Sequence, residues 1–194
     1  EFAERMGAGA PFMTTSCCAA YNNLVALHLP ELKPYVSSTG TPLFYTAERA
    51  KRERPGCVTV FVSPCVAKKT EGLANSNVDY VINFEELGAL LVGLRIEIMN
   101  CEESEFPAPG SRQGRGFGVS QGVAKAVGSL APEVKPYCVN GLTKESVRQL
   151  RVFAIKGSCP GCDLIEVMGC EGGCVGGNAT INKTTGALES WTVN

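Results

Sequence analysis

The sequence predicts an α/β fold in which a mostly parallel sheet is flanked by helices. Strand-like stretches alternate along the chain with segments whose apolar residues recur at helical spacing. One such stretch, Val58–Val62, is almost uniformly apolar, which is typical of a parallel strand covered on both faces. The chain has 194 residues, 44% of them hydrophobic, so we expect a single domain over residues 1–194 with its own core.

The first half of the chain contains helix and strand patterns in turn. Apolar residues spaced through Tyr21–Leu29 predict a short helix that stops before a proline. The strand Val58–Val62 comes next, and Asp79–Ile82 predicts a second strand. Asn83 and Glu86 have the spacing of a capping box, so we expect a helix from there to about residue 93 or 94.

The second half continues this alternation. The polar stretch Glu102–Gly116 contains Gly and Pro and predicts a loop. Valines at helical spacing predict a core-facing helix over Ser120–Leu130. Thr143 caps a predicted short helix that ends near residue 150, and strands are predicted at Arg151–Ile155 and Leu164–Met168.

The charge balance excludes two classes of partner. With 18 basic and 19 acidic residues the net charge is −1, which leaves no broad cationic surface for nucleic acid or anionic lipid. No apolar run approaches the ~20 residues of a membrane span, and no signal peptide is visible, so we expect a cytoplasmic location without membrane contact. The chain begins at Glu1, without Met, in what looks like a helix entered partway, and we expect it to be a fragment.

Cysteine is the unusual component. The chain contains ten Cys and one His, so any metal should be held mainly by thiolates. Disulfides in an oxidising compartment are the alternative, but a chain of this length does not need such crosslinks to be stable. Metal ligation is therefore the favoured interpretation.

Three cysteine segments stand out. Cys170 and Cys174 are four residues apart among glycines, a pattern that suits two thiolates and nearby backbone N–H groups around an iron–sulfur cluster. Cys17 and Cys18 are adjacent and point to opposite sides of an extended backbone, so only one of them is expected to bind; two buried small residues are an even alternative. Because Cys65 and Cys170 each follow a predicted strand, they can converge at the carboxyl ends of the sheet.

The third segment combines a cysteine with a cation and a carboxylate. Cys65 is followed by Lys68 and Glu71, which offer one ligand, one positive charge and one proton acceptor. By default, Lys and Glu at this spacing form a solvated helical face. Alone, this pattern does not distinguish the two interpretations.

Together the three segments resemble the active-site domain of the iron-only (FeFe) hydrogenases. The motifs occur in the family's order, as Thr15-Ser16-Cys17-Cys18, Pro64-Cys65-x-x-Lys68-x-x-Glu71 and Glu166-x-Met168-x-Cys170-x-x-Gly173-Cys174. The resemblance covers nearly the whole chain and implies one lobe of that domain, its C-terminal part. The upstream lobe and the ferredoxin-like domains of the family are therefore expected to be absent.

The resemblance implies a cofactor and its ligands. Cys18, Cys65, Cys170 and Cys174 would hold a 4Fe-4S cluster, and Cys174 would also bridge to a two-iron subcluster bearing CO, cyanide and an azadithiolate. Because the family's site lies between two lobes, we expect this fragment alone to be inactive, and its cofactor can be missing.

The resemblance also implies roles around that cofactor. Cys17 would relay protons, Lys68 would donate to a cyanide, and Met168 would pack over the two-iron unit. The family's proton path matches three more residues, namely Ser37, Glu71 and Glu1, the last with Arg5 beside it.

Some residues depart from the family pattern or lie outside it. Ala19 replaces the proline that follows the double cysteine in the family. Ser63 replaces a methionine that helps to wall the two-iron pocket, so a more polar pocket is expected. Cys159 and Cys162 are not part of the signature; they are expected to pair or to serve a structural role rather than to bind a second metal. Of the remaining candidates, Cys57, Cys101 and Cys138 are expected to be buried, and His28 is expected to be a surface or satisfied residue.

The implied activity is reversible oxidation of H2 to protons and electrons. Expected partners are a ferredoxin-like electron carrier or upstream iron–sulfur domains, and maturation enzymes. Two alternatives remain: a non-catalytic iron–sulfur scaffold similar to the Narf-like relatives, and a four-cysteine zinc module built on Cys159, Cys162, Cys170 and Cys174. The scaffold has no need of Cys17 or Lys68, and the presence of both favours the hydrogenase.

Overall fold

A computed structural model of the chain describes residues 1–105 and 110–181 and confirms the α/β prediction. Within these residues, five strands form two sheets, and every strand pairing is parallel. The helices are α1 (Phe2–Gly7), α2 (Ala19–His28), α3 (Pro42–Glu53), α4 (Ala67–Leu73), α5 (Phe84–Gly93), α6 (Arg112–Gly116), α7 (Gly122–Gly128) and α8 (Lys144–Lys156). The strands are β1 (Met13–Thr14), β2 (Val60–Val62), β3 (Tyr80–Ile82), β4 (Pro136–Asn140) and β5 (Leu164–Met168). Short 3-10 turns lie at Pro30–Tyr35, Ile98–Asn100 and Cys174–Gly176.

The larger sheet has the order β1-β5-β4 and carries the core. All five residues of its central strand β5 are buried. Alternate side chains of a strand point to opposite faces. Ile165 therefore packs with Tyr21 and Leu150 on one side, whereas Leu164 packs with Phe2 and Ala124 on the other. Helices on both faces thus cover the strand that leads to Cys170.

The predictions of helices α2 and α5 are confirmed. The Asn83 side chain accepts the backbone N–H of Glu86, and the Asn83 backbone N–H donates to the Glu86 carboxylate, which completes the capping box. The helix α2 covers most of the predicted range, and β3 and β5 lie where strands were predicted. None of the helices in the described part of the chain has the length and hydropathy needed to cross a bilayer.

The predicted strand at Arg151–Ile155 is wrong, because α8 continues through it. Leu150, Phe153 and Ala154 are buried on one side of the helix, at helical rather than strand spacing. The helix ends at Lys156, where Gly157 adopts the left-handed conformation with φ of 60°. The sheet position next to β5 is taken by β4, which was not predicted, and β1 and α3 were not predicted either.

The expected burial of the Val58–Val62 stretch on both faces is also wrong. Val58 is 67% exposed and Val60 is 51% exposed. This strand belongs to the two-stranded sheet β2-β3, which α4 covers on one side through close contact of Gly72 with Val81. The side chains of Val58 and Val60 therefore remain largely open to solvent.

Other sequence predictions need smaller corrections. The helix expected over Ser120–Leu130 is shorter and leaves Leu130 90% exposed. Part of the expected Glu102–Gly116 loop is α6, capped by Ser111, while residues 106–109 lie outside the described range. His28 is a surface residue, as expected. The prediction that the three cysteines outside the motifs are buried is wrong. Cys101 is exposed, and Cys57 and Cys138 are half-buried.

Candidate metal centre

The three cysteine segments meet where β1, β2 and β5 end. Cys17 and Cys18 follow β1, Cys65 follows β2, and Cys170 follows β5. The amide of Gly169 lies 3.3 Å from the Sγ of Cys18, which ties the first segment to the last. The two sheets are therefore joined at the ends where ligands of open α/β sheets collect.

The residues after Cys174 tie the second segment to the third. Ala179 N donates to the carbonyl oxygen of Pro64 over 3.0 Å. Val66 N donates to Asn178 Oδ1 over 3.4 Å. Cys65, which lies between Pro64 and Val66, is thereby held against the chain that carries Cys174.

The glycines flanking Cys174 are needed for this packing. A Cβ on Gly173, whose φ is 89°, would lie 2.6 Å from Ser120 N, and a Cβ on Gly177 would lie 2.3 Å from the carbonyl oxygen of Pro64. The space beside both glycines is thus filled by the chain's own backbone. Their first role is to let three loops approach one another.

The four motif cysteines lie within electrostatic range of one another. Burial raises the pKa of Cys174 to about 11, and Cys18 and Cys65 raise it further as neighbouring thiolates. The pKa of Cys170 is raised by burial, then by Cys65 and Cys18. Four thiolates that oppose one another's ionisation require compensating positive charge, which the irons of a cluster provide.

A cluster and a single metal ion require different spacings of their ligands. No group of three or more His, Cys, Asp or Glu side chains in residues 1–105 and 110–181 is arranged to hold one ion. A cluster separates its ligands by its own width, whereas a zinc ion draws four sulfurs into one tetrahedron. A donor set of four thiolates is of the type that binds iron–sulfur clusters.

Lys68 is buried beside the first cysteine segment. Its side chain lies on α4, is 8% exposed, and donates to the backbone carbonyl of Cys17 over 3.3 Å. Its ammonium group lies 2.5 Å from Glu71 Oε2, and the other carboxylate oxygen of Glu71 accepts from the hydroxyl of Thr41. The solvated helical face that this motif suggests by default is therefore wrong for Lys68.

A second cluster of polar groups surrounds Glu1. Its carboxylate accepts hydrogen bonds from the Ser37 and Thr39 hydroxyls and from the amide and hydroxyl of Ser38. Arg5 Nε lies 2.8 Å away. Partial burial acts to raise the pKa of Glu1, but the hydrogen bonds from Ser37, Thr39 and Ser38 outweigh it and hold the pKa well below its usual range.

Cys17 faces the same space as these groups. Burial, followed by the Cys18 thiolate, raises the pKa of Cys17 to about 12. Cys17, Ser37 and Glu1 line one cavity of about 470 Å³, whose walls are mainly apolar. Glu71 instead contacts Lys68 and Thr41, so the structure divides the implied proton-path residues into two groups.

Met168 lies at the end of β5 and is 2% exposed, paired in register with Asn140 of β4. The side chain of Asn140 accepts the backbone N–H of Gly172 over 2.7 Å. These two residues therefore join the end of the sheet to the turn that carries Cys170 and Cys174.

The motif analysis missed the role of Glu166. This residue is fully buried in β5, and its carboxylate accepts the backbone N–H groups of Gln121 at 2.5 Å and Ala124 at 2.7 Å. Burial raises its pKa despite these bonds. The loop it holds contacts the cysteine turn, because Ser120 N donates to the carbonyl of Gly172 over 3.0 Å. A charged residue inside an otherwise apolar strand was the signal that could have revealed this.

Cys159 and Cys162 form a disulfide at the opposite end of β5. They precede the strand, whereas Cys170 and Cys174 follow it. The five residues of β5 separate the two pairs by about 17 Å at ~3.3 Å per residue. The four-cysteine zinc module is therefore wrong.

A family model described as "Iron only hydrogenase large subunit, C-terminal domain" matches residues 1–178. The chain belongs to this family. The resemblance inferred from the three motifs is thus confirmed.

Curated iron-only hydrogenases align with most of this chain. Iron hydrogenase 1 of Clostridium pasteurianum is 28% identical over 227 residues, covering 91% of this chain and 39% of its own length. The periplasmic Fe hydrogenase large subunit of Nitratidesulfovibrio vulgaris is 28% identical, covering 91% of this chain and 54% of its own length. The chain thus spans about half, or less, of the length of these relatives.

Solved FeFe hydrogenase structures share the fold. The apo form of an FeFe hydrogenase from Chlamydomonas reinhardtii superimposes with a TM-score of 0.74 at 20% identity, covering 97% of this chain and 68% of that one. A structure addressing stepwise assembly of the H-cluster gives a TM-score of 0.72 at 21% identity, covering 97% of this chain and 67% of that one.

Proposed function

We propose that the whole protein is an FeFe hydrogenase that interconverts H2 with protons and electrons. The observation that carries this proposal is the meeting of three motif segments, which places Cys18, Cys65, Cys170 and Cys174 within electrostatic range of one another. These four cysteines would hold the 4Fe-4S cluster, and Cys174 would also hold the two-iron subcluster. When bound, this cofactor supplies the redox chemistry.

The chain's own residues would manage the proton. Cys17 would accept and donate a proton at Sγ, because its side chain lines a cavity of mainly apolar walls. Ser37 and Glu1 line the same cavity and are hydrogen-bonded to each other, so they would pass the proton onward. Arg5 would hold the Glu1 carboxylate in place.

Lys68 and Glu71 would act beside this route. Lys68 would bring a positive charge close to the thiolates, since it lowers the pKa of Cys174. Glu71 would hold the Lys68 ammonium group in place and thereby orient it. Met168 would close the apolar side of the site from the end of β5.

The same proposal implies the substrates, the partners and the cellular compartment of the protein. Its substrates would be H2 and protons, with a ferredoxin-like carrier or upstream iron–sulfur domains taking the electrons and maturation enzymes installing the two-iron unit. We place the protein in the cytoplasm of an anaerobic organism. Because the family's site lies between two lobes, the chain of residues 1–194 alone would be inactive.

The proposal is tested by coexpressing the full-length protein with the family's maturation enzymes. Infrared bands of CO and cyanide, together with H2 turnover, are expected. A protein that contains iron but lacks these bands would instead be the Narf-like scaffold. Cell fractionation tests the proposed compartment separately.

A further inference from the structure

The disulfide between Cys159 and Cys162 lies apart from the cysteines assigned to the cluster. It closes the loop between the end of α8 and the start of β5. A loop at the amino end of a buried strand cannot share a metal with residues beyond the carboxyl end of that strand. The pair therefore requires a role of its own.

The two sulfurs differ in their surroundings. Cys159 is 7% exposed and belongs to the main hydrophobic core, whereas Cys162 is half-buried and only packs against that core. Pro160 and Gly161, which lie between them, are exposed. An incoming reactant therefore has a more open approach to Cys162 than to Cys159.

We propose that this pair is a thiol–disulfide exchange site whose substrate is an external dithiol. One thiolate of the dithiol attacks the Sγ of Cys162, the bond to Cys159 breaks, and the Cys159 sulfur leaves as a thiolate that takes up a proton. The second thiol of the donor then attacks the mixed disulfide and releases Cys162 as a thiol. Two electrons pass to the protein, and the donor becomes a disulfide.

Reduction of the Cys159–Cys162 disulfide would loosen the backbone at the start of the larger sheet. Asp163, the residue after Cys162, donates its N–H to the carbonyl of Lys135 over 3.0 Å and accepts from Met13 N over 2.8 Å. Opening the disulfide frees the loop on one side of these hydrogen bonds. In the reduced protein, we expect faster amide hydrogen exchange in residues 158–163, while β5 remains protected.

The direction of attack is tested with two matched single variants of the full chain. Cys159→Ser leaves only Cys162, and Cys162→Ser leaves only Cys159. Each is incubated with oxidised glutathione, and the mixed disulfide at the remaining cysteine is followed by peptide mass spectrometry, with the exposed Cys101 as internal reference. Cys162 should react about 10-fold faster than Cys159. Equal rates, or faster reaction at Cys159, would overturn the proposal.

The unsubstituted chain provides a second test that does not depend on the folding of either variant. Dithiothreitol should reduce the pair while the circular dichroism spectrum stays native, and oxidised glutathione should restore it. If reduction occurs only after urea has unfolded the chain, the disulfide is a structural crosslink and the proposed exchange site is wrong.

Discussion

The buried ammonium group of Lys68 donates a hydrogen bond to the backbone carbonyl oxygen of Cys17 over 3.3 Å. This bond joins the motif on α4 to the motif after β1. A buried cation needs a counter-ion, and Glu71 supplies one at 2.5 Å. The same side chain thus ties two cysteine segments together, and its positive charge lowers the pKa of the Cys174 thiol.

The first prediction concerns this lysine. Lys68→Met should lower the free energy of unfolding by about 1–3 kcal/mol, because it leaves Glu71 without its cation and the Cys17 carbonyl without its donor. Urea unfolding monitored by circular dichroism measures the change. The control is Lys69→Met, which breaks an exposed pair with Glu86 and should cost less than about 1 kcal/mol. Equal losses for the two variants would contradict the structural role of Lys68.

The second prediction concerns Glu166. In Glu166→Gln, the new amide cannot accept both the Gln121 and Ala124 N–H groups as the carboxylate does, so we expect a loss of about 1–3 kcal/mol. Amide hydrogen exchange at residues 118–124 should also accelerate. Glu145→Gln changes an exposed residue of α8 and serves as the control. Unchanged exchange at residues 118–124 would show that Glu166 does not hold this loop.

The third prediction is a pH dependence carried by Asp79. A hydrogen bond from Lys51, followed by bonds from the amide and hydroxyl of Thr59, lowers the pKa of Asp79 from 3.8 to about 2. The unfolded chain therefore binds this proton more readily, so stability falls as the pH drops from about 4 to about 2. Asp79→Asn should flatten this part of the curve of melting temperature against pH. A curve as steep as that of the unsubstituted chain would contradict the assignment.

The fourth prediction tests the proton relay in the complete, matured protein. Cys17→Ala should slow H2 turnover by about 100-fold or more, the usual contribution of a positioned acid–base group, while the iron content stays the same. Cys138→Ala, at a half-buried cysteine of β4, is the control and should keep its turnover. Retained activity in Cys17→Ala would exclude Cys17 as the relay.

The sequence identified the family motifs more reliably than it predicted the surrounding elements. Cysteine spacing is a local property, so the order of residues alone is enough to identify the three motifs. The secondary structure at the end of α8 is not a local property. Val152 and Ile155 favour a strand by their intrinsic propensity. Burial of Phe153 and Ala154 against the sheet instead stabilises a helix. Burial of Lys68 likewise depends on Cys17, a partner 51 residues away.

The central claim is that Cys18, Cys65, Cys170 and Cys174 hold one iron–sulfur cluster. It is tested most directly by anaerobic reconstitution of the full chain with iron and sulfide, comparing the unsubstituted chain with Cys65→Ser and with the matched control Cys57→Ser. We predict about four iron atoms per chain in the unsubstituted chain and in the control, and a loss of most of this iron in Cys65→Ser. Iron content that is the same in all three proteins would contradict the account.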